Sequence, residues 1–375
     1  MWSMRGSKDP EVSVGIVTAE AIELDEGTVG CRDGKICWDG KCYDHLDFTP
    51  WLHHNDSFTI HNVMIGKQFH WQRLQRQTFS GRLHFIVEGE AITAVNTLPI
   101  EDYLVSVISS EMRATSSLEF LKAHAIIARS WLLAQRQLPQ PPHQHYDVCA
   151  DDHCQRYQGT TMATNPHVMQ AVSETRGMVL TCNGSICDTR YSKCCGGRTE
   201  LFATCWDEHK PHPYLTSVVC PYCNTTDRGI LQQVLNDYDQ ETNDFYNWHV
   251  SLTHAELDDL VQRKLGLHLG HIVSLEPLNR GISGRIYRLR IVGTNGETIV
   301  GKELAIRKAL SPTHLYSSAF DIEPTATGIT LHGRGWGHGV GLCQIGAAVM
   351  GEQGTGHTAI LQHYYKNTSI TQLYE

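Results

Sequence analysis

Hydrophobic and polar positions alternate with period two through much of the first hundred residues, and then the period changes. Val12-Ser13-Val14-Gly15-Ile16 sets apolar against small residues, as a half-buried strand does. Arg82-Leu83-His84-Phe85-Ile86-Val87 and Ala91-Ile92-Thr93-Ala94-Val95 flank Glu88-Gly89-Glu90, the short glycine-bearing loop of a hairpin. From Leu98 the period lengthens. Pro99 fits the first turn of a helix. Leu104, Val107, Ile108 and Glu111 then share one helical face, so an apolar stripe ends on a carboxylate. Ser116-Ser117-Leu118-Glu119 reads as a capping box on Ser116 that opens a second helix with the stripe Phe120, His124, Ile127, Ala128 and Trp131. The loop from Gln137 to Gln144, rich in Pro, Gln and His, closes that helix.

From Tyr146 to Thr199 the pattern predicts short strands and loops. Thr253-His254-Ala255-Glu256 is a further capping box, opening a helix through about Leu265. Arg285 to Val292 and Glu297 to Val300 flank the hairpin signal Thr294-Asn295-Gly296. Thr358 to Tyr365 reads as a short closing helix. The predicted fold class is α+β, mainly antiparallel or curved sheets and hairpins with a helical segment at about 98–136. Residues 11–96 form an N-terminal β-rich segment, and no repeat or long linker divides the rest.

Composition narrows the function classes. The chain has 375 residues and a formal charge of −9, which is the wrong sign for a general nucleic-acid binder. It has no run of apolar residues long enough for a membrane span. The stretch Met1 to Pro10 is polar, so no signal peptide is visible in it. The cysteine count is 13, an odd number, so at least one thiol has no partner within the chain.

The cysteines are clumped. His143, His145, Cys149, His153 and Cys154 place soft and borderline ligands a few residues apart, as tetrahedral zinc sites do. Cys149, His153 and Cys154 with one upstream histidine complete a four-ligand set, and spacing does not choose between His143 and His145. A Cys149–Cys154 disulfide with solvated histidines is the plainer alternative. Cys31, Cys37 and Cys42 lie in a Gly/Asp-rich stretch where a surface disulfide is the bland expectation. A further group is Cys182, Cys187, Cys205, Cys220 and Cys223, with Cys220-Pro221-Tyr222-Cys223 at CxxC spacing. A redox motif, a second metal site and a disulfide all remain open for it.

Three other stretches carry candidate chemistry. Glu111, at the end of an apolar stripe, is expected to be partly desolvated, which raises a carboxyl pKa toward that of a general acid. The plainer reading is a last-turn glutamate rotated into water. Glycines alternate from Gly333 to Gly341, interleaved with Arg334, Trp336, His338 and Val340. On an extended strand Arg334, Trp336 and His338 would share one side, a bare track suited to a sugar or an anion. A glycine-rich turn is the plainer alternative. Tyr191-Ser192-Lys193-Cys194-Cys195-Gly196-Gly197-Arg198-Thr199 is a binding loop or a tight turn between strands.

The order of these stretches resembles a known family. Leu98-Pro99-Ile100-Glu101-Asp102-Tyr103-Leu104 leading to Ser110-Glu111-Met112 is similar to the opening signature of the SpoIID/LytB (stage II sporulation protein D / amidase enhancer) family. Leu121 to Ala125 with Ala128-Arg129-Ser130, then Asp147-Val148-Cys149 through Gly159, resemble the next two blocks. Tyr191-Ser192, Gly196 to Glu200 and Trp206 resemble the fourth. Gly335 to Gln344 with Gly346-Ala347, Ile360-Leu361 and His363 to Tyr365 resemble the last.

The resemblance implies a catalytic domain over 97–375, forming one compact unit with 11–96. It implies a peptidoglycan lytic transglycosylase (a lyase of cell-wall remodelling) that cuts between N-acetylmuramic acid and N-acetylglucosamine, with Glu111 as single acid and base. No second carboxylate is marked out, although Asp151 and Asp152 are near in the chain. Arg129, Gln155, Tyr191, Ser192, Lys193, Trp336, His338 and Gln344 are the expected substrate contacts. A structural zinc is implied on His143, Cys149, His153 and Cys154, with His143 preferred over His145. The implied partners are glycan strands and a cell-wall amidase, and the implied location is the cell envelope. A non-catalytic glycan-binding module that enhances an amidase, and a zinc-dependent hydrolase, are the alternative functions. The chain departs from the family pattern at Cys194, Cys195 and Cys343, where small residues are expected. A disulfide, a second metal and simple space filling are the readings open there.

Overall fold

A computed structural model describes residues 10–49, 57–67, 72–113, 115–151, 153–160, 165–207, 211–234 and 245–375. Asp152 and the polar stretch before Pro10 lie outside the described residues. The fold is α+β, as expected. Residues up to Asp188 together with 370–375 form one unit, and Thr189–Ser369 form a second.

The first unit carries the β-rich segment and the predicted helices together. Its five-stranded sheet runs in the order Val148–Cys149, Glu11–Ala19, Ala91–Pro99, Arg82–Glu88, Leu46–Asp47. All neighbours are antiparallel except Val148–Cys149, which pairs in parallel with Val14 and Gly15. The predicted hairpin pairs Glu88 with Ala91. A six-stranded antiparallel sheet holds Lys41–Tyr43, Lys35–Trp38, Gly27–Arg32, Ala21–Leu24, Ser57–Ile65 and Arg73–Ser80 in that order. Cys37 and Cys42 face each other across one of its hairpins and form a disulfide.

Helices α1 (Ile100–Glu111) and α2 (Leu118–Gln135) fill the predicted helical segment. Pro99 is the cap residue of α1, one position before the first turn expected of it. Tyr103, Leu104, Val107 and Ile108 are fully buried, so the stripe leading to Glu111 is as read. The cap of α2 is Ser117, whose hydroxyl accepts from the Phe120 N–H at 3.4 Å. The cap thus falls one residue after the Ser116 expected, and Phe120 at the third helical position has no carboxylate to complete a capping box. Ser116 is itself buried, and Glu119 pairs with Lys122 at 3.0 Å. A third helix, α3 (Pro166–Glu174), lies where only short strands and loops were expected. Asn165 caps it, Pro166 opens it, and Val168, Ala171 and Val172 are its buried face, a helix-start signal legible in the sequence.

A buried charge pair fastens these helices. Arg129, with no exposed surface, grips Glu101 with two hydrogen bonds, Nε to Oε1 at 2.9 Å and Nη2 to Oε2 at 2.6 Å. Its third nitrogen donates to the Met178 carbonyl at 3.0 Å. Glu101 also accepts from the Tyr374 hydroxyl at 2.6 Å and the Gly177 N–H at 3.4 Å. Desolvating two charges is costly, and only this degree of satisfaction offsets it.

In the second unit the antiparallel sheet Asn247–Thr253, Gly328–Arg334, Phe320–Pro324 and the sheet Ile272–Arg280, Ile286–Gly293, Gly296–Val300 share a core of Trp248, Leu257, Leu260, Ile286, Leu289, Ile306 and Leu331. The capping box on Thr253 and its helix His254–Leu265 are as predicted, ended by Gly266 in the left-handed conformation. The closing helix is His357–Tyr364, and a strand Ser369–Gln372 follows it.

Removing one half of the Arg129–Glu101 pair leaves the other charge buried alone. Arg129→Met is expected to destabilise the fold by about 3–5 kcal/mol. Adding Glu101→Gln to that variant should recover part of the loss. Chemical denaturation of the single and double variants measures both effects, and equal stability of Arg129→Met and wild type would contradict the clamp.

Candidate functional site

The apolar face of α1 carries Glu111 to the helix end, where its side chain keeps 12% exposure. It is neither in bulk water nor sealed off. Fully buried His124 of α2 places Nε2 3.5 Å from Glu111 Oε2. Sequence reading counted His124 only as a member of the stripe. A histidine among apolar neighbours, on the helix following the one that ends in the carboxylate, was the available signal.

The candidate metal centre lies in the same unit. The ligand atoms of His143, Cys149, His153 and Cys154 all fall within 4.8 Å of one another. His143 Nε2 is 3.4 Å from Cys154 Sγ. Zinc bonds of about 2.0–2.3 Å at tetrahedral angles place neighbouring ligands about 3.3–3.8 Å apart, so the donor set fits that ion. His145 is exposed and outside the cluster, whose histidines are His143 and His153.

Local packing explains the arrangement. The pairing of Cys149 with Gly15 and the bond from Ala150 N–H to the Gly15 carbonyl at 3.0 Å bolt this loop to the first strand. The Tyr146 ring covers Gly15 so closely that a Cβ there would sit 2.6 Å from it, and His143 stacks on the same ring at 4.7 Å. Asp151 Oδ1 accepts the His153 N–H at 2.9 Å and shapes the turn between the ligands.

Gln155 leaves this loop inward. It is 1% exposed, accepts from Tyr103 of α1 at 3.1 Å and donates to the Ala128 carbonyl of α2 at 3.3 Å. Gln155 and Arg129, both expected at the substrate, lie in the interior. Both are buried and engaged inside the protein, where they set how the two helices and the metal loop meet.

The remaining expected contacts belong to the second unit. Tyr191–Ser192 pairs in parallel with Leu342–Cys343. Ser192 and Gln344 are buried there, whereas Tyr191, Lys193, Trp336 and His338 are half-buried. Lys193 Nζ donates to the Val234 carbonyl. Trp336 stacks on Phe245 at 4.8 Å and meets Tyr316 edge-on at 4.8 Å. Burial, reinforced by the guanidiniums of Arg190, Arg285 and Arg307, pushes the His338 imidazole well below its ordinary pKa. It is neutral at pH 7, its Nδ1 accepts from the Val340 N–H at 3.0 Å, and its proton sits on Nε2.

The glycine track is not one extended strand, because the strand ends at Arg334. Gly339 and Gly341 have φ of +76° and +73°. A Cβ at Gly339 would meet the Arg285 guanidinium at 2.4 Å, and one at Gly341 would meet the Arg190 carbonyl oxygen at 1.9 Å. The bare backbone makes room for the protein's own groups. Fully buried Arg285 takes up that room, donating to the Gly337 carbonyl at 2.9 Å and the Cys195 carbonyl at 3.0 Å.

Two family models match the chain. One, described as "Stage II sporulation protein", covers residues 88–182, and one described as "Domain of unknown function (DUF8618)" covers 200–341. The chain is 30% identical over 362 residues to an uncharacterized protein of Brachyspira hyodysenteriae, spanning 95% of this chain and 84% of that one. It is 28% identical over 293 residues to the stage II sporulation protein D of Bacillus subtilis, spanning 74% of this chain and 76% of that one. The amidase enhancer of Bacillus subtilis is 26% identical over 293 residues, which are 72% of this chain and 40% of that protein. The ordered motifs and these matches agree, and the chain belongs to the SpoIID/LytB family of stage II sporulation protein D and amidase enhancer.

Proposed function

We propose that this protein is a peptidoglycan lytic transglycosylase in which Glu111 is the single acid and base. Membership of the family supports a role in the cell wall. The observation that carries the finer reading is the position of Glu111, nearly buried at a helix end yet still open on one side. As an acid Glu111 protonates the glycosidic oxygen between muramyl and glucosaminyl residues. As the resulting carboxylate it takes the proton of the muramyl C6 hydroxyl, which attacks C1 of its own ring. The product is a 1,6-anhydro end and no water is consumed. One carboxylate suffices for this, whereas a hydrolysing glycosidase needs two at a set separation.

Zinc on His143, Cys149, His153 and Cys154 would be structural. Four protein ligands leave no position for a reactive water, which disfavours the zinc-hydrolase alternative. When bound, the ion holds the loop that sends Gln155 between α1 and α2. Tyr191, Lys193, Trp336 and His338 of the second unit are proposed as glycan contacts in their own right. The substrate places the working protein outside the cytoplasm, and a cell-wall amidase is its proposed partner. The relative named amidase enhancer favours a second reading, a glycan-binding module that raises an amidase's rate without cutting.

Glu111→Gln is expected to lower cleavage of purified glycan strands by at least about a hundredfold. Mass spectrometry should find 1,6-anhydro ends with wild type. Equal rates in the two proteins would remove Glu111 from the mechanism, and strand binding without cleavage by wild type would favour the enhancer reading. Cys149→Ser is expected to lose one equivalent of zinc and to melt at a lower temperature, because folding and metal binding are linked. Undiminished zinc in that variant would contradict the ligand set.

A further inference from the structure

In the second unit, apart from the site on His143, Cys149, His153 and Cys154, the sulfurs of Cys195, Cys220, Cys223 and Cys343 all lie within 4.8 Å of one another, and all four residues are buried. Cys195 Sγ and Cys223 Sγ are 3.6 Å apart. A single ion bonded to four thiolates at about 2.3 Å spaces them about 3.8 Å apart. An iron–sulfur cluster anchors its cysteines on separate iron corners and spreads them more widely. We propose that these four cysteines bind a second metal ion, a tetrathiolate zinc.

Groups around the sulfurs are arranged as a thiolate site requires. The Cys195 N–H points to Cys343 Sγ at 3.2 Å, the Gly197 N–H to Cys223 Sγ at 3.3 Å, and the Tyr364 hydroxyl lies 3.3 Å from Cys220 Sγ. Such outer contacts orient ligands and disperse their negative charge. Gly196 and Gly197, with φ of +78° and +96°, let the chain turn directly after Cys195. Gly346 leaves space on another side, since a Cβ there would lie 2.6 Å from Cys220 Sγ. Four thiolates and one divalent cation carry net negative charge, and the buried Arg285 guanidinium, bonded to the Cys195 carbonyl at 3.0 Å, supplies an opposing charge one peptide away.

The ion ties together three stretches distant in sequence: the turn at Cys195, the Cys220–Cys223 knuckle, and Cys343 at the cap of the helix Gln344–Glu352. The neighbouring backbone carries Lys193, and Trp336 exchanges two backbone hydrogen bonds with Cys194, at 2.8 and 3.0 Å. The metal is a positioning element for that loop set, and this holds whether or not the protein cleaves glycans. Cys194, also buried, is outside the ligand set.

The test is metal analysis of the full chain made in zinc-supplemented medium and purified without chelator. Wild type and Cys194→Ser should carry two equivalents of zinc, and Cys223→Ser and Cys149→Ser one each. X-ray absorption of Cys149→Ser, whose other site is intact, should show sulfur alone around the metal. That measurement stands even if Cys223→Ser does not fold. One equivalent in wild type that vanishes in Cys149→Ser would overturn the proposal. So would two equivalents retained in folded Cys223→Ser, or alkylation of denatured, unreduced wild type that leaves these four cysteines paired as disulfides.

Discussion

A guanidinium cannot shed its charge at any ordinary pH, so burying one obliges the fold to supply a partner for its donors. Among the described residues each unit holds one such side chain with no exposed surface at all. In the first, Arg129 meets a carboxylate in bidentate fashion and draws α1, α2 and the strand at Met178 onto one point. In the second, Arg285 donates to backbone carbonyls and to the Ser283 hydroxyl at 2.9 Å. That hydroxyl bonds in turn to Glu200 at 2.6 Å. The first arrangement fixes the helix that ends in Glu111. The second fixes the irregular backbone around Trp336 and His338. The geometry of both candidate regions follows from satisfying a charge that has nowhere else to go.

The motifs of the resemblance thus divide by physical role. Glu111, Tyr191, Lys193, Trp336 and His338 retain surface for chemistry or contact. Arg129, Gln155, Ser192 and Gln344 are interior. The same block of sequence holds both kinds because a reactive group is only as well placed as the groups behind it. Gln155 shows this directly, since it leaves the candidate metal loop and ends between the two helices that bring Glu111 and His124 together.

Much of this was legible in the sequence. Period and capping chemistry located α1, α2, the helix after Thr253 and the hairpins, because those signals are local. The four-ligand set at His143–Cys154 was legible because its members are close in the chain. Spacing along the chain does not separate His143 from His145, which differ in which way the loop faces, and only the family resemblance favours His143. Helix α3 has a buried face too short to give a clear period, and its signal is the Asn165-Pro166 start. Cys195, the Cys220–Cys223 pair and Cys343 stand far apart in sequence, and only tertiary folding gathers them. The glycines misled in the opposite sense. Bare backbone suggested an approaching ligand, whereas the approaching groups are Arg285 and the Arg190 carbonyl.

The route of the chain gives Tyr374 a particular meaning. Residues 189–369 form an insertion, and the polypeptide then comes back to the unit it left, where that phenol reaches Glu101 and Thr371 bonds to Thr181. During synthesis on the ribosome this partner of the interior carboxylate therefore emerges only after residues 189–369. The early part of the molecule waits, with its innermost polar cluster incomplete, until the whole insertion has been translated.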